Sequence, residues 1–195
     1  MADWFEQFLL AFIPLFVAID ILGLIPIYLS LASNVPPHER RVVEKEAIAT
    51  ALFVGVGFLY LGNLLFRALA ITVGDFQIAG GLILLALAGR ELLSTDVRAS
   101  FVTKDFGVVP LGMPLIAGPG MLTSLLTVGG TLGAGVTLLA LIVNLVIVYV
   151  GLRYAEVVSR VVGVTLIRAS SRLVALLLAA IAVNLIRRGW QAAAG

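Results

Sequence analysis

Asp20 is the acidic residue set deepest in an apolar run: neither Phe12–Ile19 before it nor Ile21–Pro26 after it carries a charge. A carboxylate at membrane depth costs at least ~2.5–3.5 kcal/mol on insertion scales, which makes it a functional candidate. It can hold a substrate ammonium, or bind and release a coupling proton, a task that burial of a carboxyl favours. It can also cap the second part of a broken helix, because Asp before a helix start accepts from free N–H groups. A cap can still line a site. Arg172 is the only base well inside an apolar stretch. Its guanidinium can clamp a substrate carboxylate bidentately or neutralise Asp20. Equally, it can extend its stem to the interface beside Arg168, one turn away.

A third feature is Gly118-Pro119-Gly120, followed by Met121, Leu122, Thr123 and Ser124. Here the chain breaks and restarts a helix, and the free N–H groups of a helix start attract an anion such as a carboxylate. The hydroxyls of Thr123, Ser124 and Thr127 either join that site or bond back to their own helix. Ser124 is the strongest candidate of the three. Asn63, Asn144 and Asn184 each fall in an apolar stretch, where an amide more often joins two helices than binds a substrate.

The composition sets what must carry these groups. Of 195 residues, 61% are apolar and 12% charged, and the mean hydropathy is +1.14. A soluble domain is nearer 45–50% apolar and about 25% charged. The chain therefore reads as an integral membrane protein, which excludes a disordered protein, a nucleic-acid-binding domain and an ordinary soluble enzyme. The pI near 9.3 comes from thirteen basic residues without a dense run. There is no Cys and a single His, His38, in a predicted loop after Pro36-Pro37. Thiolate chemistry, a Cys- or His-built metal site and a histidine proton relay are set aside.

A helix crossing about 30 Å of hydrocarbon needs about 20 apolar residues. Six stretches qualify: Trp4–Leu31, Val42–Leu69, Val73–Leu93, Phe106–Val128, Leu132–Tyr154 and Val164–Ile186. The expected fold is all-α, a single polytopic domain of six transmembrane helices. MADWFEQF has no basic residue, so it reads as the start of a retained first helix. The positive-inside rule sets the orientation. Arg40, Arg41, Lys45, Arg90, Arg98, Lys104, Arg153, Arg160 and Arg168 fall on one side, against Arg67, Arg187 and Arg188 on the other. Both termini are then expected on the non-cytoplasmic face of the cell (inner) membrane. Trp4 and Trp190 would lie at the outer interface. Asp75 and Gln77 read as the start of the third span, where an acid suits the helix dipole. Ala47, Ala51 and Gly55, four apart, form a small-residue seam for close approach of another helix, within the bundle or between protomers.

The two halves look alike. Ala79-Gly80-Gly81-Leu82-Ile83-Leu84-Leu85-Ala86-Leu87-Ala88 finds an echo 94 residues later in Leu173-Val174-Ala175-Leu176-Leu177-Leu178-Ala179-Ala180-Ile181-Ala182. Spans 1 and 4 are both interrupted, by Pro14, Asp20, Gly23 and Pro26 in one and by Pro110, Gly112, Pro114, Gly118, Pro119 and Gly120 in the other. Three spans is an odd number, so repeats over residues 1–97 and 98–195 must have inverted topology. Broken helices at matching positions of inverted halves mark a transporter's midplane site.

The residues from Phe16 to Pro26 resemble the first-helix motif of the MarC family, often D-P-x-G-x-x-P. Val109-Pro110-Leu111-Gly112-Met113-Pro114-Leu115-Ile116-Ala117-Gly118-Pro119-Gly120 resembles its second-half motif, and Ile78–Leu84 and the Arg172 segment match it too. The resemblance covers essentially the whole chain. Ile21 stands where the family usually has Pro, which implies a milder first break, and Ala175 stands where Gly is common. The resemblance implies six spans and kinship with LysE-type exporters. It also implies small neutral amino acids, such as glycine and alanine, as the substrate class.

The resulting expectation is a secondary transporter working by alternating access and driven by an ion gradient. The substrate would contact Asp20, Gly23, Gly118, Pro119, Gly120, Met121, Thr123 and Ser124, with Asp20 also at the coupling ion, a proton or sodium. Arg172 is the candidate counter-ion. No cofactor, catalytic residue or structural metal is expected, because no hydrolase, zinc or ATP-binding motif is present. The partners are a small-molecule substrate, the lipid bilayer and, at this size, a second or third copy of the chain. A passive channel, or an exporter of another small solute or ion, is the alternative.

Overall fold

The computed structural model describes residues 3–32, 35–93, 106–157 and 170–194. They are helical almost throughout. Helix α1 (Trp4–Ile19) starts where the Asp3 carboxylate accepts the Trp4 N–H at 2.8 Å. Trp4, Phe8, Phe12 and Phe16, four apart, stack in a ladder along one side, with ring centroids 5.6–6.1 Å apart. Pro14 sits inside α1 and does not break it. The break comes at Asp20, whose left-handed backbone (φ 49°, ψ 63°) ends α1. Helix α2 (Ile21–Leu31) follows at a 45° bend and passes through Pro26 without interruption.

Helix α3 (Pro37–Leu69) opens with a proline, whose missing N–H costs nothing at a helix start. Val43, Ala47, Ala51 and Gly55 form its buried stripe. The seam closes within the bundle: a Cβ on Gly55 would stand 3.0 Å from Leu141 and 3.2 Å from Met121. Helix α4 (Val73–Leu93) opens on a reciprocal cap. Asp75 accepts from the Thr72 N–H and hydroxyl at 2.7 Å, and the Thr72 hydroxyl accepts the Asp75 N–H at 3.1 Å.

The fourth stretch is broken, as its prolines and glycines lead one to expect, and its first part is not a regular α-helix. Gly107–Ile116 is a wide coil in which Leu111 and Ala117 donate five residues back, to Phe106 and Gly112. Val109 (ψ 124°) and Met113 (ψ 129°) are extended. Each precedes a proline, whose ring disfavours helical geometry in the residue before it. Helix α5 (Pro119–Leu132) leaves this coil at a 54° bend, and α6 (Ala134–Arg153) and α7 (Ser170–Ala194) follow. Helices α4 and α7 pack through glycines: a Cβ on Gly81 would stand 2.8 Å from the Ala182 carbonyl, and one on Gly189 2.5 Å from that of Gly74.

The core gathers Leu15, Tyr28, Phe106, Leu111, Ile116, Met121, Leu125 and Leu141 from both halves of the chain. Outside, Val17, Phe53, Leu64 and Val146 present an apolar surface suited to lipid. Among the described residues, two helices, Pro37–Phe66 and Ala134–Arg153, are long and apolar enough to cross a membrane, or up to four spans if each bent pair counts as one. The expected repeat boundary at 97/98 and the expected start of the sixth span at Val164 lie outside the described residues.

Candidate functional site

The first break is built on one carboxylate. Asp20 takes the left-handed conformation that Asp tolerates better than most side chains. This turns its carboxylate onto α2, where Oδ1 accepts the Gly23 N–H at 3.2 Å. Gly23 is the residue this arrangement permits, since a Cβ there would stand 2.5 Å from Asp20 Oδ2. Asp20 is exposed on the protein surface, and among the described residues it forms no ion pair. The capping role is therefore observed, with the second carboxylate oxygen left over.

The second break ends in an uncapped helix. Gly118 precedes α5 with extended backbone (φ −82°, ψ 170°) and no side chain caps the helix. Pro119 has no N–H, and the first helical bond runs from Leu122 N–H to the Gly118 carbonyl at 3.0 Å. The N–H groups of Gly120 and Met121 lie before that bond and have no helical acceptor. A Cβ on Gly118 would stand 2.7 Å from the Pro114 carbonyl, so the coil folds tightly back against the helix start.

The breaks are neighbours. A Cβ on Gly120 would be 3.6 Å from the Ala18 carbonyl, which places the first turn of α5 on the last turn of α1, two residues before Asp20. Pro119 rests on Gly80, where a Cβ would stand 2.8 Å from its ring, so the glycine pair of α4 makes room for the second break. On the other side Gly151 of α6 faces the Ile21 side chain at the start of α2. Asp20, Gly23, Gly118, Pro119 and Gly120 are thus placed around two adjoining helix ends.

The other predicted residues divide. Ser124 is half-buried and its hydroxyl makes no hydrogen bond among the described residues. Thr123 donates to the Pro119 carbonyl at 2.7 Å, and Thr127 to that of Thr123 at 3.0 Å, so both hydroxyls bond back to their own helix. The Met121 side chain is wholly buried beside Gly55, which leaves only its backbone for a ligand. Asn144 joins helices, donating to the Ala140 carbonyl at 2.9 Å and to that of Phe12 in α1 at 3.3 Å. Arg172 lies in α7, and its side chain falls outside the described residues. No group of three or more His, Cys, Asp or Glu able to hold a metal occurs among the described residues.

One buried acid escapes a reading of the sequence. Glu44 is 2% exposed and accepts the Tyr28 hydroxyl at 2.7 Å. Its neighbours Arg40, Arg41 and Lys45 suggest a solvated face. Yet Glu44 lies three residues before Ala47 on the same helical stripe, and extending the small-residue seam by one turn finds it.

Residues 5–194 match the family described as MarC family integral membrane protein. A UPF0056 membrane protein of Methanocaldococcus jannaschii is 30% identical over 96% of this chain and 98% of its own length. One from Bacillus subtilis is 27% identical over 91% of each chain, and one from Pyrococcus abyssi 25% identical over 100% of each. No solved structure matches.

Proposed function

Because the chain belongs to the MarC family of integral membrane proteins, we propose that it is a secondary transporter of small neutral amino acids, the glycine and alanine class. The observation that carries the reading is the uncapped start of α5 seated against the broken end of α1. Two free N–H groups and the helix dipole suit a substrate carboxylate. The Asp20 carboxylate, with one oxygen not used in capping, takes the ammonium or a coupling proton. Ser124, with its unengaged hydroxyl, completes the contacts, and Arg172 serves as counter-ion. Gly23 and Gly118 are closely packed, against the Asp20 carboxylate and the Pro114 carbonyl, and room so limited beside the breaks favours a small substrate.

In this reading the six apolar stretches are six spans, arranged as inverted repeats over residues 1–97 and 98–195 that rock against each other around the breaks. Both termini face away from the cytoplasm, as the distribution of Lys and Arg requires. No cofactor takes part; the driving force is a proton or sodium gradient.

A chain without cysteine permits a direct test. Ser124→Cys supplies the only thiol, and its reaction with a small methanethiosulfonate reagent is followed in proteoliposomes. The reading expects alanine to slow the reaction saturably and leucine to have little effect. Equal rates with and without alanine would remove Ser124 and the second break from the site.

A further inference from the structure

A polar cavity of about 190 Å³ lies where α2 ends, α3 begins and α6 ends. Tyr28, Arg40, Glu44, Arg153 and Glu156 line it. It is distinct from the breaks: Tyr28 is eight residues beyond Asp20, about 12 Å along α2.

The charges on its wall are unevenly spent. Arg40 is paired, its Nη1 on Glu156 Oε1 at 2.8 Å and its Nε on the Val35 carbonyl at 2.9 Å. Glu44 Oε1 receives the Tyr28 hydroxyl, but Oε2 is buried with no hydrogen-bond partner. An ionised Oε2 lacks a donor and a protonated one lacks an acceptor, so neither state satisfies it with protein groups alone. On the same wall Arg153 is exposed and has no ion-pair partner among the described residues. One buried carboxylate oxygen and one guanidinium without an ion pair are thus left on this wall. A simple cation here would meet Arg153, and a simple anion would meet Glu44.

We propose that this cavity is a second binding site, for a small zwitterion whose ammonium meets Glu44 Oε2 and the Tyr28 hydroxyl oxygen and whose carboxylate meets Arg153. The Arg40–Glu156 pair holds the wall and is not consumed by the ligand. The proposal stands on this cavity and does not depend on what occupies the breaks.

Tyr28 supplies a local reporter. The full chain is labelled with 3-fluorotyrosine, giving four tyrosine resonances, and Tyr28→Phe assigns the one bonded to Glu44. Alanine, ethylamine and propionate are then titrated in lipid nanodiscs. The Tyr28 resonance is expected to shift saturably with alanine, with a midpoint of about 1 mM and at least tenfold weaker response to the other two. Glu44→Gln and Arg153→Gln are each expected to weaken the alanine response at least tenfold. Arg153 is exposed, so its variant keeps the test open if Glu44→Gln does not fold. An immobile Tyr28 resonance at about 100 mM alanine overturns the proposal, as does ethylamine binding as tightly as alanine. The readout is confined to this cavity, so a failure of transport through the breaks does not alter it.

Discussion

Gly112→Ala tests whether the wide coil really lies in the α3 seam. A Cβ at this position would stand 2.8 Å from Thr50 Cβ, 2.9 Å from the Gly107 carbonyl and 3.0 Å from the Ala47 carbonyl. Ordinary carbon contacts begin near 3.5 Å, and two of these three neighbours are backbone that cannot rotate away. Overpacking of this kind costs about 1–3 kcal/mol. No gain in helix propensity offsets it, because the extended residues Val109 and Met113 flank the position. Gly57→Ala is the control: it lies inside α3 with nothing within 4 Å of the added carbon. That change should be neutral or stabilise by roughly 0.5–1 kcal/mol. Unfolding of both variants in mixed detergent micelles, with rising dodecyl sulfate fraction, should therefore separate them by about 1–4 kcal/mol. Stabilities within about 0.5 kcal/mol of each other would refute the close seating of the coil on α3.

Further predictions concern the cap, the helix junction and the surface pair. Asp20→Ala removes the acceptor for Gly23 N–H and should cost ~0.5–2 kcal/mol, while Asp20→Asn keeps a cap and should cost a few tenths. The same micelle unfolding measures both, and loss of gradient-driven uptake in Asp20→Asn then reports coupling without instability. Asn144→Ala breaks the link from α6 to the Phe12 carbonyl and should cost ~0.6–2 kcal/mol in that assay. Glu156→Gln should cost no more than about 1 kcal/mol, because its carboxylate is 63% exposed at the Arg40 pair.

The sequence was most legible where backbone chemistry is local. Gly118-Pro119-Gly120 marks a helix start because Pro fits its first position and the glycines allow close approach, as Gly80 and Ala18 confirm from the other side. The residue types around Asp20 announced an interruption. Asp20, readable as the cap of a second half-helix, is where the break falls, while Pro14 and Pro26 both lie within helices. What decided it was the left-handed conformation of Asp20, a property of one residue in its tertiary setting. The wide coil was hidden for a similar reason: the Pro110 and Pro114 spacing forbids a regular helix without specifying which irregular path replaces it. Glu44 was missed because charge density near a membrane boundary suggests solvent, whereas its helical stripe is buried. The small-residue seam was visible as a pattern, but its partner became clear only when Gly55 met Met121 and Leu141.

The most direct measurement is uptake of labelled alanine into proteoliposomes under an imposed pH gradient, a sodium gradient and no gradient, for wild type and Asp20→Asn. The account predicts saturable uptake that one of the two gradients accelerates, competition by glycine, and loss of the acceleration in Asp20→Asn with exchange retained. Uptake that rises linearly with alanine concentration, or none by folded protein under any gradient, would contradict a carrier for small neutral amino acids.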